Sequence, residues 1–307
     1  MTKKTFHSNG KLLITAEYLV LDGARALALP TKKGQSLSVA PSTEKGLHWL
    51  SVDENKNRWF ETKIDLKALK IDTSKENLRD PKTRLLQILA AAQALNPLFL
   101  VKNDGIQVKT ELDFPRDWGL GSSSTLINNI ANWAEVNAFD LLEKTFGGSG
   151  YDVACAQHDK PILYRLEDQK PVVEEVDFNP TFSDHIYFVH LNQKQNTRDA
   201  VKRYRNQPLP KLQEKIDEIS QLTHSILKAA TLTEFEQLIT QHEKILSNLL
   251  GIPPIKLKLF PDFKGSIKSL GGWGGDFILA TGSLQDMQYF RDKNYTTVVP
   301  YEAMILQ

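Results

Sequence analysis

At 307 residues the chain is long enough to bury a sizeable core and exceeds the size at which one core stops growing, so two domains are expected. Its 41% hydrophobic and 24% charged residues are those of an ordinary globular protein, and a formal net charge of +1 offers no field for nucleic acid or a membrane surface. No run reaches the roughly 18 apolar residues of a membrane span. The stretch MTKKTFHSNGK is too polar for a signal peptide, and the single cysteine, Cys155, excludes an internal disulfide and fits a reducing compartment. A cytoplasmic protein with neither a nucleic-acid nor a membrane partner is expected.

Residues 3–29 read as short strands: around Phe6, then 11–16, 18–21 and 24–29, with Asp22-Gly23 a turn between apolar runs. Lys11 stands just before an apolar strand and Glu17 just after it; either is also what a solvated strand end looks like. Residues 36–64 predict further strands, with Trp49 and Trp59 on either side of the polar turn DENKN, a hairpin. A helix follows over residues 81–95, with Leu85, Leu86, Leu89, Ala90 and Ala92 on its apolar face, then a strand over 105–112.

The stretch FPRDWGLGSSSTLINNIANWA, residues 114–134, carries the most chemistry. Gly119-Leu120-Gly121 precedes Ser122, Ser123 and Ser124. Beyond them Ile127, Ile130, Ala131, Ala134 and Ala138 recur at helical spacing. Glycines ahead of a helix N-terminus with free N–H groups make an anion site, and the serines can cap the helix or ligate a metal held on a phosphate. A tight turn with a serine N-cap reads the same residues without a ligand.

A short helix over 141–146 leads to GGSGYDVACA, where Asp152 follows Gly147, Gly148 and Gly150, as a turn former or as a carboxylate held at the mouth of a site. A strand is expected over 185–191, a loop passing into a basic helix over QKQNTRDAVKRYR, and helices over 209–230 and 232–250 closed by Gly251. In SLGGWGGDFILATG, Gly271, Gly272, Gly274 and Gly275 precede a strand over 277–280, marking a bulge or a close approach of backbone to ligand. Eukaryotic-type kinase motifs, a Walker A loop, HExxH and CxxC are absent. Gly121-Ser122-Ser123 does not supply G-x-S-x-G, and the histidines show no ligand spacing.

Four segments in order, NGKLLITAEYLVLDG, PRDWGLGSSST, GSGYDVACA and GGWGGDFILA, resemble the motifs of the GHMP kinases, over most of the chain. Asn9 stands where their first motif usually has proline, and Trp273 interrupts the third. The resemblance implies an α+β fold of two lobes, a ribosomal S5 domain 2-like N-terminal lobe (residues 1–170) and a ferredoxin-like C-terminal lobe (171–307). It also implies a small-molecule kinase using ATP and Mg²⁺, as a monomer or homodimer. Residue by residue, it makes Lys11 and Asp152 catalytic, and Gly119, Leu120, Gly121, Ser122, Ser123 and Ser124 the ATP-phosphate loop. Gly271, Gly272, Gly274 and Gly275 become a glycine loop near the phosphates, and Ser123 with Glu143 the metal ligands; Glu143 is otherwise an exposed helix charge. Glu17 and Arg198 would meet the acceptor, because AEYLVLD and NTRDAV look most like the segments of phosphomevalonate kinases. Mevalonate is the alternative acceptor; diphosphomevalonate decarboxylase chemistry fits less well, its motifs not being apparent. A GHMP-fold protein that binds a metabolite without turnover is the reading from another class, motivated by Asn9 and Trp273.

Overall fold

The computed structural model describes residues 2–66, 69, 80–101, 105–193, 197–273 and 275–306. Two strands open the chain, β1 (Lys4–Leu13) and the 16-residue β2 (Ala26–Pro41), which pair with each other. Two compact units interleave in sequence: Met1–Gly10, Lys33–Arg116 and Leu120–Gln157 make the first; Lys11–Lys32, Asp117–Gly119 and His158–Gln307 make the second. The division thus differs from a single cut at residues 170 and 171. Both β1 and β2 run from one unit into the other, so no one cut separates them.

In the first unit β3 (Leu47–Val52) and β4 (Arg58–Ile64) form the expected antiparallel hairpin. Strand β5 (Ile106–Leu112) runs parallel to β3 and antiparallel to β2, in the order β4-β3-β5-β2. Its residues alternate buried and more exposed, as a strand with one packed face requires. Among the described residues, four helices accompany these strands: α1 (Pro81–Leu95), α2 (Ser122–Ala134), α3 (Ala138–Glu143) and α4 (Tyr151–Gln157). Helix α1 begins where the sequence places it, because Asp80 accepts from the Thr83 N–H and Pro81 occupies the first turn. Leu37, Val39, Trp49 and Val108 from the strands close one core with Leu89, Ile127, Ile130 and Leu141 from the helices. Ala138 does not continue α2. Glu135 turns left-handed (φ 55°), and Asn137 caps α3 by accepting from Phe139 and Asp140, which also moves that helix ahead of the expected 141–146.

In the second unit the start of β2 pairs with β6 (Ile162–Glu167), which pairs with β7 (Lys170–Glu175). A separate antiparallel sheet has the order β11-β8-β10-β9, from β8 (Ile186–His190), β9 (Ile267–Ser269), β10 (Phe277–Thr281) and β11 (Val298–Pro300). Its helices are α5 (Thr197–Asn206), α6 (Leu212–Lys228), α7 (Leu232–Leu250), α8 (Ile255–Leu259), α9 (Gln288–Asp292) and α10 (Tyr301–Met304). Helix α7 matches its expected limits: the Thr231 side chain caps its start and Gly251 (φ 64°) its end. The strand expected over 18–21 is instead a 3₁₀ turn, Leu19–Asp22, because Ala16 (φ 63°) and Tyr18 (φ 66°) take left-handed backbone that a strand cannot hold.

Strand β2 approaches β1 so closely at Gly34 that an added Cβ would lie 2.3 Å from the Ser8 carbonyl oxygen. Gly34→Ala is therefore expected to cost about 1–3 kcal/mol, the scale of overpacking. It should read as a lower urea midpoint at unchanged slope.

Candidate functional site

In the first unit the serine stretch opens α2. Gly121 is its N-cap (φ 91°), a conformation that glycine adopts without strain, and having no side chain it cannot cap the first N–H groups. No acidic residue stands in the first turn either. The N-terminus of a 13-residue helix thus keeps its donors and the positive end of its dipole for an anion, so the residues present fit a phosphate. The three serines differ. Ser124 is buried and its hydroxyl donates to the Gly121 carbonyl at 2.8 Å, whereas Ser123 is exposed.

Helix α2 is fixed through a polar face that apolar periodicity does not reveal. Thr125, Asn128 and Asn129 are buried. The Thr125 hydroxyl donates to Gln35 Oε1 (2.8 Å), and Asn129 Nδ2 donates to the Gln35 carbonyl (2.9 Å). Asn128 Nδ2 donates to Ser8 Oγ (3.0 Å) and to the Ala156 carbonyl (3.3 Å), while its Oδ1 accepts from Gln157 (3.0 Å). One side chain therefore ties α2 to β1 and to α4. Asp152 lies in the first turn of α4, half-buried, its Oδ1 accepting from the Val153 N–H at 3.0 Å; it belongs to a helix start rather than to the glycine turn itself. Glu143 is exposed at the end of α3. Among the described residues, no group of three or more His, Cys, Asp or Glu side chains is placed to hold a metal ion.

In the second unit Lys11 Nζ donates to the Gly119 carbonyl at 2.9 Å, which joins two of the expected residues. A Cβ on Gly119 (φ 67°) would lie 2.5 Å from Cγ of Asp276, so that carboxylate packs directly over the glycine. Gly271 (φ 58°), Gly272 and Gly275 lie in the turn between β9 and β10, where Trp273 is 3% exposed; Gly274 lies outside the described residues. Helix α5 carries Arg198, whose side chain is also outside them. The helix is anchored by Tyr204, whose hydroxyl donates to Asp22 (2.6 Å), and by the Arg205–Asp22 ion pair at 2.8 Å.

Glu17 is fully buried, and its carboxylate accepts from Lys268 of β9, equally buried. Lys268 also donates to the Ser269 carbonyl (2.9 Å), and both the Ser269 N–H and hydroxyl donate to the Glu243 carboxylate. His242 Nε2 accepts from the Ala16 N–H (2.9 Å), so its ring is neutral with the proton on Nδ1, and burial holds its pKa well below the usual value. Burial pushes Glu17 up to about 7 despite Lys268 beside it, and raises Glu243 as well. Lys268 was not singled out in the sequence. Its only signal there is a lone lysine between Ile267 and Ser269, immediately ahead of the glycine cluster.

A carboxyl with a raised folded-state pKa keeps its proton after the unfolded chain has lost it, so Glu17 makes stability fall as pH rises from about 4.5 to about 7. His242 acts oppositely, its share being lost as pH falls below about 6.5. Lys268→Met strands Glu17 and should cost about 3–5 kcal/mol at pH 8, the scale for removing one partner of a buried pair. The cost should shrink at pH 5, where Glu17 takes a proton; urea unfolding at the two pH values measures the difference.

No protein-family profile matches the chain, and no curated protein matches it. Solved structures do. L. major mevalonate kinase, in complex with R-mevalonate, superposes with a TM-score of 0.70 at 15% identity, over 99% of this chain and 96% of that one. Streptococcus pneumoniae phosphomevalonate kinase, in complex with phosphomevalonate and AMPPNP, gives 0.67 at 16% identity over 99% and 98%. Lactococcus lactis galactokinase, complexed with galactose, gives 0.67 at 13% over 94% and 88%. The α+β fold expected from the four motifs is thus the fold this chain has, shared along nearly its whole length with kinases of mevalonate, phosphomevalonate and galactose.

Proposed function

We propose that the chain is an ATP-dependent small-molecule kinase of the GHMP type, acting on a mevalonate-pathway acceptor, with phosphomevalonate favoured. The observation that carries the reading is the uncapped start of α2 behind Gly121, in a fold shared with a kinase whose structure holds AMPPNP and phosphomevalonate. Mevalonate is the second acceptor, since mevalonate kinase has the same fold at a similar TM-score.

In this reading the backbone of Gly119 to Ser124 takes the nucleotide phosphates. ATP with Mg²⁺ supplies the phosphoryl group and offsets its charge. Mg²⁺ keeps several waters and needs few protein ligands, and exposed Ser123 and Glu143 are the candidates to hold it. Phosphoryl transfer asks for positioning and charge stabilisation more than for covalent chemistry. The acceptor oxygen, a phosphate oxygen of phosphomevalonate or the hydroxyl of mevalonate, must give up the proton it carries as it attacks the γ-phosphorus and ADP leaves, and the Asp152 carboxylate takes that proton. Lys11 contributes positive charge toward the transferred group. Arg198 is assigned to the acceptor's phosphate. Glu17 is assigned to the acceptor side only through the turn it anchors, since its carboxylate is buried against Lys268.

Asp152→Asn and Lys11→Met should each lower turnover by at least roughly a hundredfold, the scale of general-base and electrostatic contributions. Substrate affinity should change much less in Asp152→Asn. Near-wild-type turnover in that variant would reduce Asp152 to a helix-start residue. Gly121→Val should abolish nucleotide binding while the chain stays folded; normal ATP binding by titration calorimetry would remove the loop from the site.

A further inference from the structure

Three consecutive residues behind Lys11 each grip a different part of the second unit. The Ala16 N–H bonds to His242 of α7, and Glu17 takes Lys268 of β9. The Tyr18 hydroxyl donates to the Gly272 carbonyl at 2.8 Å. All three residues are buried, and two of them, Ala16 and Tyr18, hold left-handed backbone that side chains of their kind rarely adopt. Such backbone persists only where surrounding contacts over-determine it. The contacts converge on the glycine turn: Lys268 and Ser269 are the last residues of β9 before it, and Gly272 is within it.

We propose that Tyr18 is a positioning residue that sets the glycine turn through Gly272, with the buried Glu17–Lys268 pair holding Tyr18 in the strained conformation its hydroxyl needs. The inference rests on the kinase reading for the use made of the turn, but not for the contact. Asp276, the residue that ends the turn, packs over Gly119, whose carbonyl accepts from Lys11. A displaced turn would therefore disturb the residues expected to meet the phosphates. A tyrosine kept only for core packing would need its ring, but not a hydroxyl donating to a buried carbonyl.

Tyr18→Phe keeps the ring and removes the hydroxyl, leaving the Gly272 carbonyl without that donor. Two readouts are taken on the full chain after a thermal melt confirms folding. Hydrogen–deuterium exchange over residues 270–276 should quicken by about tenfold, the scale of one lost buried hydrogen bond. The kcat/KM for ATP should fall by about tenfold while the KM for the acceptor stays unchanged. Exchange and kcat/KM both within about twofold of wild type would overturn the proposal, as would quickened exchange with unchanged kcat/KM. If the wild-type chain turns over no acceptor, the kinase reading fails by itself. Exchange then still decides whether Tyr18 holds the turn: quickened exchange supports that half of the proposal, and unchanged exchange removes it.

Discussion

Helix α2 starts at a glycine whose left-handed backbone and missing side chain leave the first N–H groups uncapped. Natural helices usually satisfy those donors with a serine, threonine, aspartate or asparagine at the cap, at a gain of about 1 kcal/mol. Here three serines lie inside the helix instead, and Ser124 turns its hydroxyl back to Gly121. A start of this kind suits an anion, and it needs the helix held still. The buried side chains of Thr125, Asn128 and Asn129 hold it, bonding α2 to β1, β2 and α4 rather than merely packing against them. Because Asp152 opens α4, the same Asn128 that fixes α2 also fixes the helix of the proposed base.

The second unit uses charge for a similar end. A lysine and two carboxylates with no solvent access are costly to desolvate, and apolar residues of the same volume are often as stable. What the ionic cluster provides is direction. Lys268 aims its ammonium at Glu17 and the Ser269 carbonyl, and Ser269 its N–H and hydroxyl at Glu243, so β9 reaches the glycine turn in one register. The neutral His242 completes the arrangement by accepting the Ala16 N–H, a bond an imidazolium could not accept. The left-handed residues on either side of Glu17 then become intelligible as backbone bent to deliver that carboxylate.

Much of this was legible from the residues alone where local signals are strong. Helix α1 announces itself through Asp80-Pro81 and α7 through Thr231 and Gly251; the β3–β4 hairpin shows in its polar turn. The Gly-Ser stretch and Lys11 were also legible, and the structure joins Lys11 to Gly119. What escaped was non-local. Apolar periodicity cannot show that α2 buries an asparagine pair, since the pattern counts only apolar positions. The 3₁₀ turn at Leu19–Asp22 carries strand-like residues, and its left-handed entry is imposed by α7, β9 and Gly272, which lie more than two hundred residues on. The interleaving of the two units likewise follows from β1 and β2 each serving both, which no composition shift marks.

Every role proposed for the site requires that this chain move a phosphoryl group from ATP to a small-molecule acceptor. ADP release by the wild-type protein with ATP and Mg²⁺, assayed against phosphomevalonate, mevalonate, homoserine and galactose, asks that directly. Acceptor-dependent ADP release is expected with phosphomevalonate, at a higher kcat/KM than with mevalonate and far above the other two. ATP that binds without ADP release for any of the four would contradict that expectation and favour a metabolite-binding protein on a kinase fold.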